Sequence, residues 1–210
     1  MATGDDFPEP HWAAGLQKPP PWRDDGASEL FRNPWMTLTR HAATAPTGAR
    51  ADYVVMRPTN MATGVLPIHE DGTVVLVGQQ RFALMNYAWE MPEGGVPPGE
   101  DPFDGVRREL AEEAGLQAAV WRPALTLELS NSITDERAMT WLAWDLSPAI
   151  GEPDPTEIIT VVRVPFRDLL DEIGRGAVRD ALTVATAFRA YHMAVEGLLP
   201  PALAGALLRR

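Results

Sequence analysis

The chain has 210 residues, which suits one good-sized domain, or a domain with appendages, and leaves too little for two full ones. Apolar residues make up 45% and charged residues 22%, the balance of a globular protein and not of a disordered chain. A formal net charge of -11 argues against long nucleic acid as a partner, and the absence of cysteine excludes disulfides, thiolate nucleophiles and cysteine zinc sites.

The same lack of cysteine fits a reducing compartment, so the cytoplasm is the expected location. Met1 to Pro10 has neither the cationic start nor the apolar core of a secretory signal, and no run approaches the roughly 20 apolar residues of a membrane span. No membrane partner is expected.

In chain order, residues 1–33 carry five prolines among scattered charges without a period of 2 or 3.6, and read as an irregular arm in which Trp12 and Trp22 cover the protein's own surface. Residues 34–58 read as two short strands, Trp35 to His41 and Ala51 to Arg57, around a Thr, Pro and Gly turn; they form a small leading sheet. Residues 59–196 read as the main domain. It opens with strands Val65 to Glu70 and Thr73 to Gln80 flanking Asp71-Gly72, a dipeptide suited to the positive φ of a tight hairpin. A strand at Trp89 to Met91 leads into a Gly/Pro-rich loop at Pro92 to Gly99. A helix follows over Pro102 to about Ala114, with Asp101 as N-cap, Pro102 at its first position and Gly115 past its end. Strands near Leu125 to Leu129, Ala138 to Asp145 and Ile158 to Val164 come next, and then helices near Phe166 to Ile173 and Val178 to Glu196. The apolar tail, residues 197–210, is expected to dock on its own domain or on a twin subunit.

The helix at 102–114 carries the chemistry. At 100° per residue Phe103, Val106, Leu110 and Ala114 share one side, while Glu109, Glu112 and Glu113 fall together beside them. Like charges at these offsets repel, a local cost that a purely structural helix has little reason to carry unless cations sit there. An acidic run on a helix is ordinarily a solvated face. Here a glycine loop, Glu100 and Arg108 precede it at fixed offsets, and Arg108 lies one turn from Glu112, where it can hold a carboxylate in place. Oxygen ligands without His or Cys suit Mg²⁺ or Mn²⁺, and the histidines at 11, 41, 69 and 192 are too scattered to suggest a ligand pair.

Gly94, five residues, Glu100, seven residues, and Arg108-Glu109-Leu110-Ala111-Glu112-Glu113-Ala114-Gly115-Leu116 fill every defined position of a 23-residue pattern, which resembles the Nudix box. That resemblance implies an α+β fold, a mixed sheet sandwiched between helices, with residues 34–58 as a small N-terminal sheet in front of it. It implies two or more metal ions, Mg²⁺ or Mn²⁺, held by Glu109, Glu112 and Glu113 together with the backbone carbonyl of Glu93. Glu100 and Arg108 then brace the loop, and Gly94 and Gly115 shape it. Cations between protein and substrate also explain how so acidic a chain could bind an anionic ligand.

The flanks narrow the family. Gly78-Gln79-Gln80-Arg81-Phe82 followed by Trp89-Glu90-Met91-Pro92-Glu93-Gly94 resembles the ADP-ribose and nucleoside-diphosphate-sugar pyrophosphatases, from about Trp35 to Ala187. The resemblance implies that Arg81 contacts substrate, although a surface arginine at a strand end is the plainer reading of the residue alone. It also implies a catalytic or metal-binding glutamate at Glu136, in the polar loop Ser130 to Glu136, with Ser130, Asn131 and Trp35 toward the substrate. That loop is expected to be flexible, so that Glu136 could swing in as general base once substrate is bound; Glu112 and Glu113 are its competitors for catalytic work. The leading strands resemble a segment exchanged between subunits, which implies a homodimer. The ADP-ribose enzymes carry a proline about fifteen residues past the box, where this chain has Asn131. This departure favours another nucleotide sugar or a broad range of them.

The reaction expected is hydrolysis of the pyrophosphate bond of a small nucleotide-sugar substrate to a nucleoside monophosphate and a sugar phosphate. The alternatives are a Nudix hydrolase of a dinucleoside polyphosphate, dinucleotide cofactor or damaged nucleoside triphosphate, or a sensor that binds nucleotide sugar without cleaving it. Such sensors usually lose box carboxylates and come fused to a DNA-binding segment; here the carboxylates are complete and no basic helical segment exists.

Overall fold

A computed structural model describes residues 8–152 and 154–209. The Met1 to Phe7 part of the predicted arm and the last residue of the tail lie outside the described residues. After a short 3₁₀ turn at His11–Ala13, strands β1 (Arg23–Arg32), β2 (Met36–Thr44) and β3 (Arg50–Pro58) form an antiparallel sheet of their own. β1 corrects the reading of residues 1–33 as irregular. Every residue of that strand is exposed, so no apolar alternation marks it, and its order comes from its ladder with β2. Trp22 packs edge-on against Tyr53, with ring centroids 5.7 Å apart, whereas Trp12 stays largely exposed instead of covering the surface.

Strands β4 (Met61–Pro67) and β5 (Thr73–Arg81) flank the predicted turn. Gly72 does take a positive φ of 84°, and the His69 N–H donates to the Thr73 carbonyl at 2.8 Å. The two strands nevertheless do not make a hairpin beyond one bridge, Ile68 to Val74. β5 joins a sheet of order β10-β5-β6 with β6 (Asn86–Glu90) and β10 (Thr160–Pro165), while β4 joins a sheet of order β7-β4-β9-β8 with β7 (Glu93–Val96), β8 (Leu116–Glu128) and β9 (Arg137–Pro148). Turn chemistry is local and the choice of partner strand is not, so the turn and its two strands were legible and their partners were not. Two further differences share that origin. β7 lies inside the predicted Pro92 to Gly99 loop, where it pairs with β4. β8 starts at Leu116 and not near Leu125, running through Pro123 at a register shift on an edge strand, where a missing N–H is tolerated.

β4 and β9 run parallel at the centre of the four-stranded sheet, and their paired residues divide its two faces. Val65 and Trp141 pack with Val106 and Leu110 of helix α1 (Pro102–Ala114). Their neighbours Leu66 and Leu142 belong to the larger core on the other side. That core is closed by α2 (Phe166–Gly174), α3 (Ala181–Val195) and α4 (Pro201–Leu208). Each fully buried aliphatic side chain contributes about 1.5–3 kcal/mol relative to exposure. The architecture is thus α+β, a mixed sheet between helices with a separate N-terminal sheet. The tail docks on its own domain: Leu203 and Leu207 are buried, and a Cβ on Gly72 would lie 2.3 Å from the Ala206 carbonyl oxygen. Among the described residues no helix is long and apolar enough to cross a membrane.

Candidate active site

Helix α1 is fixed at both ends by local chemistry. The Phe103 N–H donates to Asp101 Oδ1 at 2.8 Å, Pro102 occupies the first turn, and Gly115 closes the helix with φ 63° and its N–H on the Ala111 carbonyl. An N-cap of this kind is worth about 1 kcal/mol. With its start set and its Val106–Leu110 stripe buried, the helix presents Glu109, Glu112 and Glu113 to a cleft of about 690 Å³. The cleft is also lined by Glu93, Gly94 and Gly95 of β7, by Arg81 and Glu90, and by Trp35 and Glu136.

Glu109 and Glu113 are 9% and 8% exposed, a costly place for two carboxylates. Burial holds Glu109 above its ordinary range and pushes Glu113 up to about 8. Glu93 is held well above the usual carboxylate range by burial, and by the charges of Asp180 and Glu90 next to it. Partial compensation comes from fixed donors. Glu113 Oε2 accepts from the Glu93 N–H at 2.9 Å. The Arg108 guanidinium donates to Glu109 Oε1 at 2.8 Å, Glu112 Oε2 at 3.0 Å and the Gly95 carbonyl at 3.1 Å, and stands 3.5 Å from Glu100 Oε2. One cation thereby ties loop, strand and helix together.

Arg81 faces inward. It grips Glu90, itself almost fully buried, through Nε at 2.9 Å and Nη2 at 2.6 Å, and reaches Glu93 Oε1 at 3.7 Å. Its nearest partners are therefore the acids of the cleft wall. Gly94 is required by space: a Cβ there would lie 2.3 Å from the Glu109 carboxylate carbon. Gly94→Ala should push Glu109 off the cleft wall, cutting hydrolysis at least tenfold while the melting point falls by only a few degrees. Activity assay beside thermal unfolding checks this, and wild-type turnover in the variant would contradict it.

The donor set suits a divalent cation. Its ligand atoms are all oxygen, several are partly desolvated, and Glu93 Oε2 is buried with no hydrogen-bond partner. Among the described residues no three acidic or imidazole side chains are already closed around a metal-sized centre; Arg108 engages Glu109 and Glu112, and the Glu93 N–H engages Glu113.

The cleft does not gather every residue expected of it. Ser130 and Asn131 are not part of its lining; Asn131 instead borders a separate hollow of about 360 Å³ beside Trp22, His41 and Arg57. The cause is local. Ser130 adopts a left-handed φ of 47°, and the Ile133 and Thr134 N–H groups fold back onto its carbonyl, turning the loop toward β3. Trp35 does stand at the cleft mouth, 75% exposed. Conversely, Asp154, Glu157 and Asp180 line the cleft without having been singled out. Glu157 adds its charge to Glu109 and Glu113, and Asp180 caps α3 by accepting from the Thr183 N–H at 2.7 Å. The cap of α3 was the only signal in the sequence that could have drawn attention to any of the three.

The NUDIX domain family matches residues 58–185, well over half of the chain. The chain belongs to the Nudix hydrolase family. An ADP-ribose pyrophosphatase of Mycobacterium tuberculosis is 27% identical over 144 residues, covering 67% of this chain and 69% of that protein. The ADP compounds hydrolase NudE of Escherichia coli is 29% identical over 142 residues, 67% of this chain and 76% of its own. A crystal structure of an ADP compounds hydrolase superposes with a TM-score of 0.76 at 22% identity, over 88% of this chain and 100% of the other, which shows the shared Nudix fold. The Nudix match begins at Pro58, the last residue of β3, so the N-terminal sheet precedes it.

Proposed function

We propose that this Nudix hydrolase cleaves the pyrophosphate bond of a nucleoside diphosphate sugar, ADP-ribose or another nucleotide sugar, giving a nucleoside monophosphate and a sugar phosphate. The observation that carries the reading is the single cleft in which Glu109, Glu112 and Glu113 face Glu93, Glu136 and the exposed ring of Trp35. Support for the substrate class comes from the relatives, whose names specify ADP-ribose and ADP compounds.

Glu109, Glu112, Glu113 and the Glu93 carbonyl would hold Mg²⁺ or Mn²⁺. Bound there, such ions would neutralise the diphosphate and acidify a water. Arg108 keeps two of the carboxylates on the cleft wall, and Arg81 offsets the charge of Glu90 and Glu93 behind them. Glu136 accepts the proton of the attacking water as oxygen adds to one phosphorus and the bridging oxygen leaves with the other phosphate. Trp35 stacks on the base at the mouth. The test is a panel of nucleotide sugars, dinucleotides and nucleoside triphosphates with Mg²⁺, with Mn²⁺ and in excess chelator. Turnover of nucleotide sugars only with metal is expected, and full activity in chelator would remove the metal from the account.

A homodimer forms part of this reading, because β1 and the turn after it expose Leu30, Phe31 and Trp35 in front of the catalytic domain. Light scattering at micromolar protein should give about twice the 23.0 kDa chain mass; a monomer alone would contradict it.

A further inference from the structure

The loop that carries Glu136 is held by the N-terminal sheet of the same chain. The Tyr53 hydroxyl donates to the Ser132 carbonyl, the Met56 N–H donates to the Ile133 carbonyl at 2.9 Å, and Arg57 Nε lies 3.1 Å from Asp135 Oδ2. Met56 also pairs with Thr134 as a parallel bridge. Tyr53, Met56 and Arg57, all on β3, thus engage Ser132, Ile133 and Asp135 in the same order along the chain. The last contact falls on the residue immediately before Glu136.

Behind Arg57 the contacts continue across the sheet. Arg57 Nη1 is 3.4 Å from His41 Nε2 on β2, and His41 Nδ1 is 2.9 Å from Asp24 Oδ2 on β1. Both contacts are satisfied when His41 is neutral, donating from Nδ1 to Asp24 and accepting at Nε2 from the guanidinium. The chain Asp24, His41, Arg57, Asp135 therefore takes one residue from each strand of the sheet and one from the loop. Its final ion pair is half-exposed, so its contribution to global stability is small and its effect is geometric.

We propose that this Asp24–His41–Arg57–Asp135 chain is a positioning device through which the N-terminal sheet fixes the Glu136 loop at the edge of the cleft. It lies outside the matched Nudix region for three of its four residues and uses none of the box residues. In this structure the loop is tied to β3 at three points. The proposal rests on the reading that Glu136 acts at the site, and the experiment separates the two.

Arg57→Ala, Arg57→Lys, Glu136→Gln and the double variant Arg57→Ala/Glu136→Gln are assayed on the nucleotide sugar that turns over best, alongside amide hydrogen exchange of residues 130–136. If Arg57 acts through Glu136, Arg57→Ala lowers kcat by roughly 10-fold with KM within about twofold, since misplacing a reacting group costs rate more than binding. Arg57→Lys recovers part of the loss, exchange at Ile133 and Thr134 quickens in Arg57→Ala, and Arg57→Ala costs nothing further in the Glu136→Gln background. A full loss in Glu136→Gln with normal turnover in Arg57→Ala overturns the device alone. Equal losses from Arg57→Ala in both backgrounds also overturn it, placing Arg57 elsewhere in the machinery. Normal turnover in Glu136→Gln overturns the device together with the role of Glu136.

Discussion

Glu113→Gln should lower hydrolysis by roughly 10³-fold or more, the rate equivalent of about 4 kcal/mol of lost transition-state charge stabilisation. The substitution keeps the length of the side chain and an acceptor for the Glu93 N–H, now 2.9 Å from Glu113 Oε2, so the wall of the cleft should stay in place. What disappears is a negative charge on a buried face that a hard cation needs. Stability should move the other way. In the metal-free protein the Glu113 carboxyl is raised from 4.5 to about 8, so the folded state binds more protons than the unfolded one between those values. That contribution is fully present at the acid end and is lost as pH rises through about 8. Thermal unfolding of the metal-free wild type should therefore weaken over that range, Mg²⁺ should flatten the dependence, and Glu113→Gln should remove much of it. A variant that is inactive because it is unfolded would instead melt earlier at every pH.

Glu136→Gln should reduce kcat by roughly 10² to 10⁴ with KM and metal affinity nearly unchanged, the usual loss when a positioned base is removed. A base must be free to take a proton, and a carboxylate bound to a cation is a poorer acceptor than an uncommitted one. Glu109 and Glu112 are engaged by Arg108, and Glu113 by a backbone N–H. Glu136 lines the same cleft from a different element, so it can face the water without serving the metal. Glu157 is the competitor that the fold introduces, since its charge reaches Glu109 and Glu113 from the segment between β9 and β10. Parallel kinetics on Glu112→Gln, Glu136→Gln and Glu157→Gln decide among them. Normal turnover in Glu136→Gln, with collapse in one of the other two, would move the role to that residue.

What the sequence showed and what it concealed follow from the range of the interactions involved. Helix α1 was legible at both ends because Asp101, Pro102 and Gly115 act within one turn of where they stand. The carboxylate face was legible because helical geometry converts spacing directly into direction. The separation of β4 and β5 into two sheets was not, since Asp71-Gly72 specifies a turn and says nothing about the ladders that β9 and β10 offer from far along the chain. β1 left no trace because neither of its faces is buried. Asn131 borders a hollow beside β3 because of the turn at Ser130 and the contacts of its loop with that strand, and Asp154, Glu157 and Asp180 come to the cleft by tertiary packing that no local pattern encodes.

The proposed reaction is cleavage of a nucleotide sugar at its pyrophosphate bond in the cleft beside α1. The most direct test is to separate the products of one reaction, purified protein with ADP-ribose and Mg²⁺, by ion-exchange chromatography with authentic standards. AMP and ribose 5-phosphate in equal amounts are predicted. Intact ADP-ribose beside rapid release of inorganic pyrophosphate from a nucleoside triphosphate under the same conditions would contradict the account.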